Sequence, residues 1–270
     1  MRRGLGFRLG LGFSVLVAAF LIGPVILSVM AGLTVNYQRG ILTSGVTLAW
    51  VWRVLDLYAH TILLSLQIAL ATLAATLVLG IPVAYALARH QGRLARLVEE
   101  ALVMPVAIPG IATGLALILA WGAVGDFRVH WSFILVGHVL FTLPFMVRSV
   151  LAVMLGVDLR TLEEGARSLG AGFFRRFVTI VLPNALPGIV SGALMVVTLS
   201  LGEFNMTLLL HTPFTMTLPV GLADSYASMR LEVGSAYTLV FLVLLVPLLV
   251  ALQAAADRAA GVNAGAGRRR

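Results

Sequence analysis

Six apolar runs, each near the length that crosses a lipid bilayer, constrain this chain more than any other feature. A helix needs about 20 consecutive apolar residues to traverse the hydrocarbon core. Such runs occupy residues 11–33, 62–87, 101–120, 131–151, 186–210 and 233–256. They are continuous rather than alternating, which suits helices and not barrel strands. Only 11% of the residues are charged and 60% are hydrophobic, against about 25% charged in soluble domains. A water-soluble fold cannot cover that much apolar surface. The chain therefore reads as an all-α membrane protein of six transmembrane helices, with one membrane domain at residues 11–257. A cytoplasmic N-terminus at residues 1–10 and a disordered basic tail at 258–270, rich in Gly and Ala from 261 on, flank it.

Every one of the 19 cationic side chains is arginine, and the chain has no cysteine. The missing lysine excludes a Walker A phosphate loop, and the missing cysteine excludes disulfides and thiolate chemistry. The net charge of +8 does not point to nucleic acid, because the arginines sit beside the spans, where they set orientation. With the N-terminus in the cytoplasm, only Arg39, Arg53, Arg128 and Arg230 fall on the outer side. Both termini are thus expected in the cytoplasm. The first run follows Arg2, Arg3 and Arg8 but exceeds the 7–15 residues of a signal-peptide core, so it is expected to remain as a helix. Trp50, Trp52, Tyr58, Trp121 and Trp131 suit an aromatic belt at the outer interface.

The longest polar break, residues 163–183, falls on the cytoplasmic side. Thr161 and Glu164 have the T-x-x-E spacing of a capping box, which predicts a short helix over residues 162–169. Gly170 suits the left-handed position that ends it. A second helix is expected over 173–181, with Phe173, Phe174, Phe177 and Ile180 on one face. Pro183 is expected to stop it, and Pro187 to sit near the first turn of the next span. A plain interfacial connector would explain the amphipathic pattern but not the combination of cap, glycine hinge and proline.

This segment resembles the cytoplasmic Glu-Ala-Ala loop of permease subunits of ATP-binding-cassette importers. Glu164-Gly165-Ala166, then Gly170, then Ile180-Val181-Leu182-Pro183 keep that loop's spacing, with Gly165 where alanine is usual. Met104 to Gly110 is similar to the MP-x-x-IPG stretch of the same family, and Leu201-Gly202-Glu203-Phe204 resembles an element of its molybdate, polyamine, iron and phosphonate branches. The resemblance implies a type I ABC importer permease-like bundle in the bacterial inner membrane, with a cytoplasmic coupling helix. It implies a non-catalytic subunit that binds no cofactor, with ATP and Mg on a partner. Glu163, Glu164, Gly165, Ala166, Leu169, Gly170, Ile180, Leu182 and Pro183 would then form the ATPase-coupling segment, with Glu163 and Glu164 facing donors on the ATPase. Its partners would be two cytoplasmic ATPase subunits, a second permease subunit (different or identical) and an extracytoplasmic solute-binding protein. Among substrates it leans towards a polyamine of the spermidine/putrescine type, with 2-aminoethylphosphonate second.

Glu203 is the one acid within an expected span, about 24 Å along the helix from Pro187 at 1.5 Å per residue. Two roles stand side by side for it: structural pairing or helix termination, and lining the translocation path together with Asn205 and His138. Thr207 shares the ambiguity. Gln67 and His138 are expected to hydrogen-bond neighbouring helices, and Arg148 to snorkel to the cytoplasmic surface. The pairs Gly110/Gly114 and Gly188/Gly192 suggest close helix packing. The outer loop from 211 to 232, with His211, Asp224, Tyr226 and Arg230, is a candidate contact for the solute-binding protein or an ordinary solvated loop. No spacing suggests a metal site. A secondary transporter or channel would instead call for inverted repeats and broken midplane helices, and a membrane enzyme for converging acids and bases; neither pattern is evident.

Overall fold

The computed structural model describes residues 5–41, 43–90 and 92–267. They form helices α1 (Leu5–Gly32), α2 (Ala49–Leu57), α3 (Ala59–Arg89), α4 (Arg93–Ala107), α5 (Gly110–Trp121) and α6 (Trp131–Gly156). The chain continues through α7 (Leu159–Ser168), α8 (Phe173–Arg176), α9 (Leu182–Gly202), α10 (Thr207–Leu210), α11 (Leu218–Ala227) and α12 (Leu231–Gly267). An isolated antiparallel bridge pairs Thr34 with Val46. Among the described residues five helices are long and apolar enough to cross a membrane, and a sixth crossing arises if α4 and α5 are taken as one broken span.

The chain divides into two compact units. One comprises residues up to His60 together with Gly221–Leu244. Within it Ser28 Oγ lies 3.2 Å from Tyr226 Oη, which lies 3.1 Å from Ser235 Oγ. Arg230 donates to Tyr58 Oη at 2.7 Å and to Asp224 Oδ2 at 2.8 Å. The stretch expected as an outer loop thus carries a helix, α11, and an internal arginine clamp.

The larger unit comprises Thr61–Val220 and the chain from Leu245 on. Its centre is the packing of α6 on α9. Lipid tails are as apolar as leucine, so close packing rather than the hydrophobic effect holds such helices together. Gly188 and Gly192 supply that closeness. A Cβ at Gly188 would lie 2.6 Å from the Ser149 carbonyl oxygen, and one at Gly192 would lie 2.8 Å from Met146 Sδ. Ser149 Oγ donates to the Gly188 carbonyl at 2.9 Å across the contact. Around it cluster the buried side chains of Ala84, Tyr85, Met146, Val150, Met154, Val181 and Ala185.

Several elements differ from the sequence reading. The third span is not continuous: α4 and α5 meet at 104°. Pro109 disfavours helical geometry in the residue before it, and Ile108 is extended at φ −87°, ψ 135°. Pro183 does not stop a helix either. Residues Phe173–Gly202 run on as one helical span, because Phe177–Val181 widens into a π turn in which the Leu182 N–H bonds Phe177 O, five residues back. A wider turn absorbs a proline that offers no N–H. The expected fifth span stops at Gly202 and not at 210. The tail expected to be disordered is helical as far as Gly267, in keeping with its alanine content; Arg268 to Arg270 lie outside the described residues. Gln67, expected to bond a neighbouring helix, is exposed.

Gly188→Val tests the α6–α9 contact. A side chain there meets backbone, which cannot swing aside, so a loss of about 1–3 kcal/mol is expected. It would be read as a lower unfolding midpoint in detergent. Gly202→Ala, where a Cβ meets nothing within 4 Å, should leave the midpoint unchanged.

Candidate functional site

The polar segment after α6 forms a short helix closed at both ends. Asp158 precedes α7 and accepts from the Thr161 N–H at 3.2 Å and from Thr161 Oγ1 at 2.7 Å. The cap is therefore Asp158 and not Thr161, and the helix starts three residues earlier than the capping-box reading placed it. Aspartate is as good a cap as threonine, and here it takes the threonine's own hydroxyl proton. Glu164, freed from the box, lies 3.9 Å from Arg160 on the exposed surface, a pair of little energetic weight. At the other end Gly170 adopts φ +83°. Its N–H bonds Arg167 O at 2.9 Å, and Ala171 N–H bonds Ala166 O at 3.0 Å. These two bonds make a complete Schellman closure, as the glycine led one to expect.

Glu163 turns inward, away from any partner, and this corrects the expectation that it meets the ATPase. Its side chain is 3% exposed. Tyr85 Oη, from α3, donates to Glu163 Oε1 at 2.8 Å. Arg89 Nη1 donates to Tyr85 Oη at 2.7 Å and lies 3.3 Å from Glu163 Oε2. Arg176 Nε, from α8, lies 3.8 Å from Glu163 Oε1, and Arg176 Nη1 donates to Ala171 O at 2.9 Å. The Tyr85 ring packs on Phe173 and Phe177 at centroid distances of 6.2 and 5.5 Å. A cavity of about 600 Å³ opens beside the cluster, lined by Arg89, Asp158, Arg160 and Glu163 among others. The reason for the inward turn is helical phase. Leu159 and Glu163 are four apart, so they share the face of α7 that packs inward, and both are buried. Glu164, Gly165, Leu169 and Gly170 lie on the outside, with Leu169 88% exposed. Ala166, Ile180 and Leu182 are half-buried, and Pro183 is exposed.

A second polar cluster sits where α9 ends. Glu203 is extended at φ −70°, ψ 119°. Its carboxylate accepts from the N–H groups of Met206 and Thr207 at 2.8 and 2.9 Å, and from Thr207 Oγ1 at 2.5 Å. His138 Nδ1 lies 2.8 Å from Ser200 Oγ and Nε2 lies 2.9 Å from Thr207 Oγ1. Thr207 has one hydroxyl proton, and it goes to Glu203. Nε2 must then be the donor in the contact with His138. Arg128 completes the turn by donating to Leu210 O at 2.7 Å and Leu209 O at 2.9 Å. Of the two roles weighed for Glu203, the geometry matches pairing and helix termination. His138 is the interhelical hydrogen-bonding residue expected. Asn205 alone of the three is exposed. Among the described residues no group of three or more His, Asp or Glu could hold a metal.

Two measurements check the ends of α7. Gly170→Ala should cost about 1–2 kcal/mol, because a side chain at a left-handed position clashes with the next carbonyl; faster amide exchange in α7 would report it. The hydrogen bonds from Thr161, first through its side chain and then its backbone, hold the Asp158 carboxyl below its ordinary value. A depressed carboxyl stabilises the fold at pH values above its unfolded value, and the effect is lost as pH falls through the folded one. Exchange protection of the first turn of α7 should therefore fall in acid, and Asp158→Ser, a cap without a titrating group, should abolish that dependence.

Comparison with known proteins places the chain. Residues 76–260 match the family model of the binding-protein-dependent transport system inner membrane component. The chain is 32% identical over 161 residues to the molybdenum transport system permease protein ModB of Escherichia coli (strain K12), covering 55% of this chain and 70% of that protein. It is 27% identical over 252 residues to the putative 2-aminoethylphosphonate transport system permease protein PhnV of Salmonella paratyphi A, covering 92% and 94%. Its fold is similar to that in the crystal structure of a bacterial alginate ABC transporter bound to an alginate pentasaccharide-loaded periplasmic protein, with a TM-score of 0.74 at 16% identity over 94% of each chain. The inward-facing MetNI methionine ABC transporter matches with a TM-score of 0.60 at 23% identity, over 74% of this chain and 93% of that one. The breaks at Ile108–Pro109 and Glu203 are of the kind a secondary transporter would show, but the family match decides between the two readings. The chain belongs to the family of binding-protein-dependent transport system inner membrane components and is a multi-pass permease subunit of an ATP-binding-cassette importer.

Proposed function

We propose that α7 is the handle by which a separate ATPase subunit moves this permease, and that the solute carried is a small oxygen-rich anion or phosphonate. The observation that carries the first part is α7 itself. It is capped by Asp158, closed by Gly170 and held from beneath through Glu163. Its outer face presents Glu164, Gly165 and the exposed apolar side chain of Leu169. An apolar side chain held out from an ordered polar helix is one that a partner groove would cover. The arginine distribution supports placing this face and both termini in the cytoplasm.

In this reading two ATPase subunits, a second permease subunit and an extracytoplasmic binding protein complete the importer, and ATP with Mg is held by the ATPases. Nucleotide-driven closure of the ATPases would draw the α7 helices together and rock the spans between two access states. Asn205, exposed at the break beside Gly110, is the residue we retain for the pathway. Glu203 and His138 would support that break from behind. The substrate class follows the relatives, which name molybdenum and 2-aminoethylphosphonate. Neither names a polyamine, so spermidine or putrescine becomes the weaker reading.

Two experiments test this. Glu164→Arg reverses the charge on the exposed face and should abolish co-purification of the ATPase while membrane insertion persists. Unchanged uptake in that variant would sink the handle assignment. Uptake by cells expressing the whole importer should be competed by molybdate or by 2-aminoethylphosphonate, and competition by spermidine alone would reverse the substrate reading.

A further inference from the structure

We propose that the buried Glu163 carboxylate is the linkage that makes α7, the inner end of α3 and the helix entering α9 move as one body. The inference deepens the handle reading and rests on it for its role in transport. Three elements meet at this one group: Tyr85 and Arg89 from α3, with Tyr85 78 residues from Glu163 in the chain, Glu163 itself from α7, and Arg176 from the neighbouring α8. α7 does not need Glu163 to form, since Asp158 and Gly170 close its ends independently. A carboxyl group is also a poor choice for packing alone. An apolar side chain of similar volume would fill such a site at no desolvation cost. What charge adds is attraction to two arginines, at 3.3 and 3.8 Å, beside the hydrogen bond from Tyr85.

The backbone shows why such an attachment matters. α7 connects to α8 through residues 169–172, with Gly170 at φ +83°, and α8 leads to α9 through the π turn Phe177–Val181. Glycine loops and widened helical turns are where a chain yields. A pull on α7 transmitted only along the backbone would be taken up there. The Glu163 contacts bypass the glycine loop, reaching α3 directly and Arg176 at the end of α8, where the π turn begins. Glu163 is accordingly a positioning residue and does not itself meet solute or ATPase.

The chain contains no cysteine, so His90→Cys with Ser168→Cys gives a clean pair of spin labels, one just beyond the end of α3 and one at the end of α7. In the otherwise native permease the distance distribution should be narrow. It should also be the same in the nucleotide-free complex and in the complex trapped with ATP and vanadate. Adding Glu163→Gln should broaden it in the permease alone and make it shift between the two nucleotide states. Solute delivered per ATP hydrolysed should fall about five-fold or more, the lower range of usual coupling factors, with the ATPase still co-purifying. A native distance that changes between states overturns the proposal, and so does a Glu163→Gln distribution as narrow as the native one. Should Glu163→Gln fail to insert, Arg89→Gln carries the same test at a side chain that is 39% exposed. The Glu164→Arg variant separates the two readings. If it keeps the ATPase, the handle assignment fails, while the label distances in the permease alone still decide the linkage.

Discussion

No water reaches the hydrocarbon core, so each backbone N–H and C=O there must find a partner within the protein. The break between α9 and α10 answers that requirement. Where α9 ends at Glu203, the following N–H groups of Met206 and Thr207 would be orphaned, and the Glu203 carboxylate takes both. Where α10 ends, the carbonyls of Leu209 and Leu210 would be left over, and the Arg128 guanidinium takes both. The two side chains carry opposite charges and serve opposite ends of the same break. His138, Ser200 and Thr207 follow as a consequence: once a carboxylate has been brought in, its surroundings must supply further donors. Removing such a partner leaves buried polar groups unpaired at about 1–3 kcal/mol each, which is why a polar cluster deep in an apolar chain is better read first as backbone repair.

The segment after α6 works under a different regime. Its backbone can be hydrated, so neither Asp158 nor Gly170 is compulsory in the sense that Glu203 is. They fix where α7 begins and ends. Glu163 is withdrawn from water, and the Arg176 side chain beside it is only 13% exposed. A buried carboxylate needs compensating partners, and here one hydrogen-bonding tyrosine and two nearby arginines come from elements on either side of α7. Rigid ends on the helix and a buried tie beneath it leave the exposed face of Glu164 and Leu169 as the part free to meet another molecule.

The spans were legible because composition and run length suffice for them, and the α7 segment was legible because its spacing resembles a known loop. What escaped was decided by phase and by distant contacts. Reading Thr161 as the cap displaced the start of α7 by three residues and hid the pairing of Leu159 with Glu163 on the inner face. A D-x-x-T spacing at Asp158 and Thr161 was available as the competing signal. Tyr85 and Arg89 could not be matched to Glu163 from the sequence, since nothing local marks contacts between residues so far apart in the chain, and the match with Arg176 depends on how the turn at Gly170 folds α8 back. Pro183 misled because a proline reads as a stop, and the π turn that accommodates it has no comparable signature. Pro109 misled in the opposite direction: the apolar run 101–120 carries the expected span straight through it, although the residue before a proline is biased to extended geometry.

Those proline effects bear on how transport proteins of this kind are told apart. A bend of 104° between α4 and α5 and an extended residue at Glu203 are features that broken-helix transporters also use near a binding site. Helix breakage is a solution to bringing backbone or polar side chains to a given depth, and it is indifferent to the energy source. The discriminating feature has to be one that only an externally driven protein needs. A spanning protein driven by its own ion gradient has no use for a doubly capped helix between spans whose inner face is tied to two of them and whose outer face stands open. α7 has that form, and its phase, with Glu163 inside and Glu164 outside, turns the two adjacent acids to opposite sides of the helix.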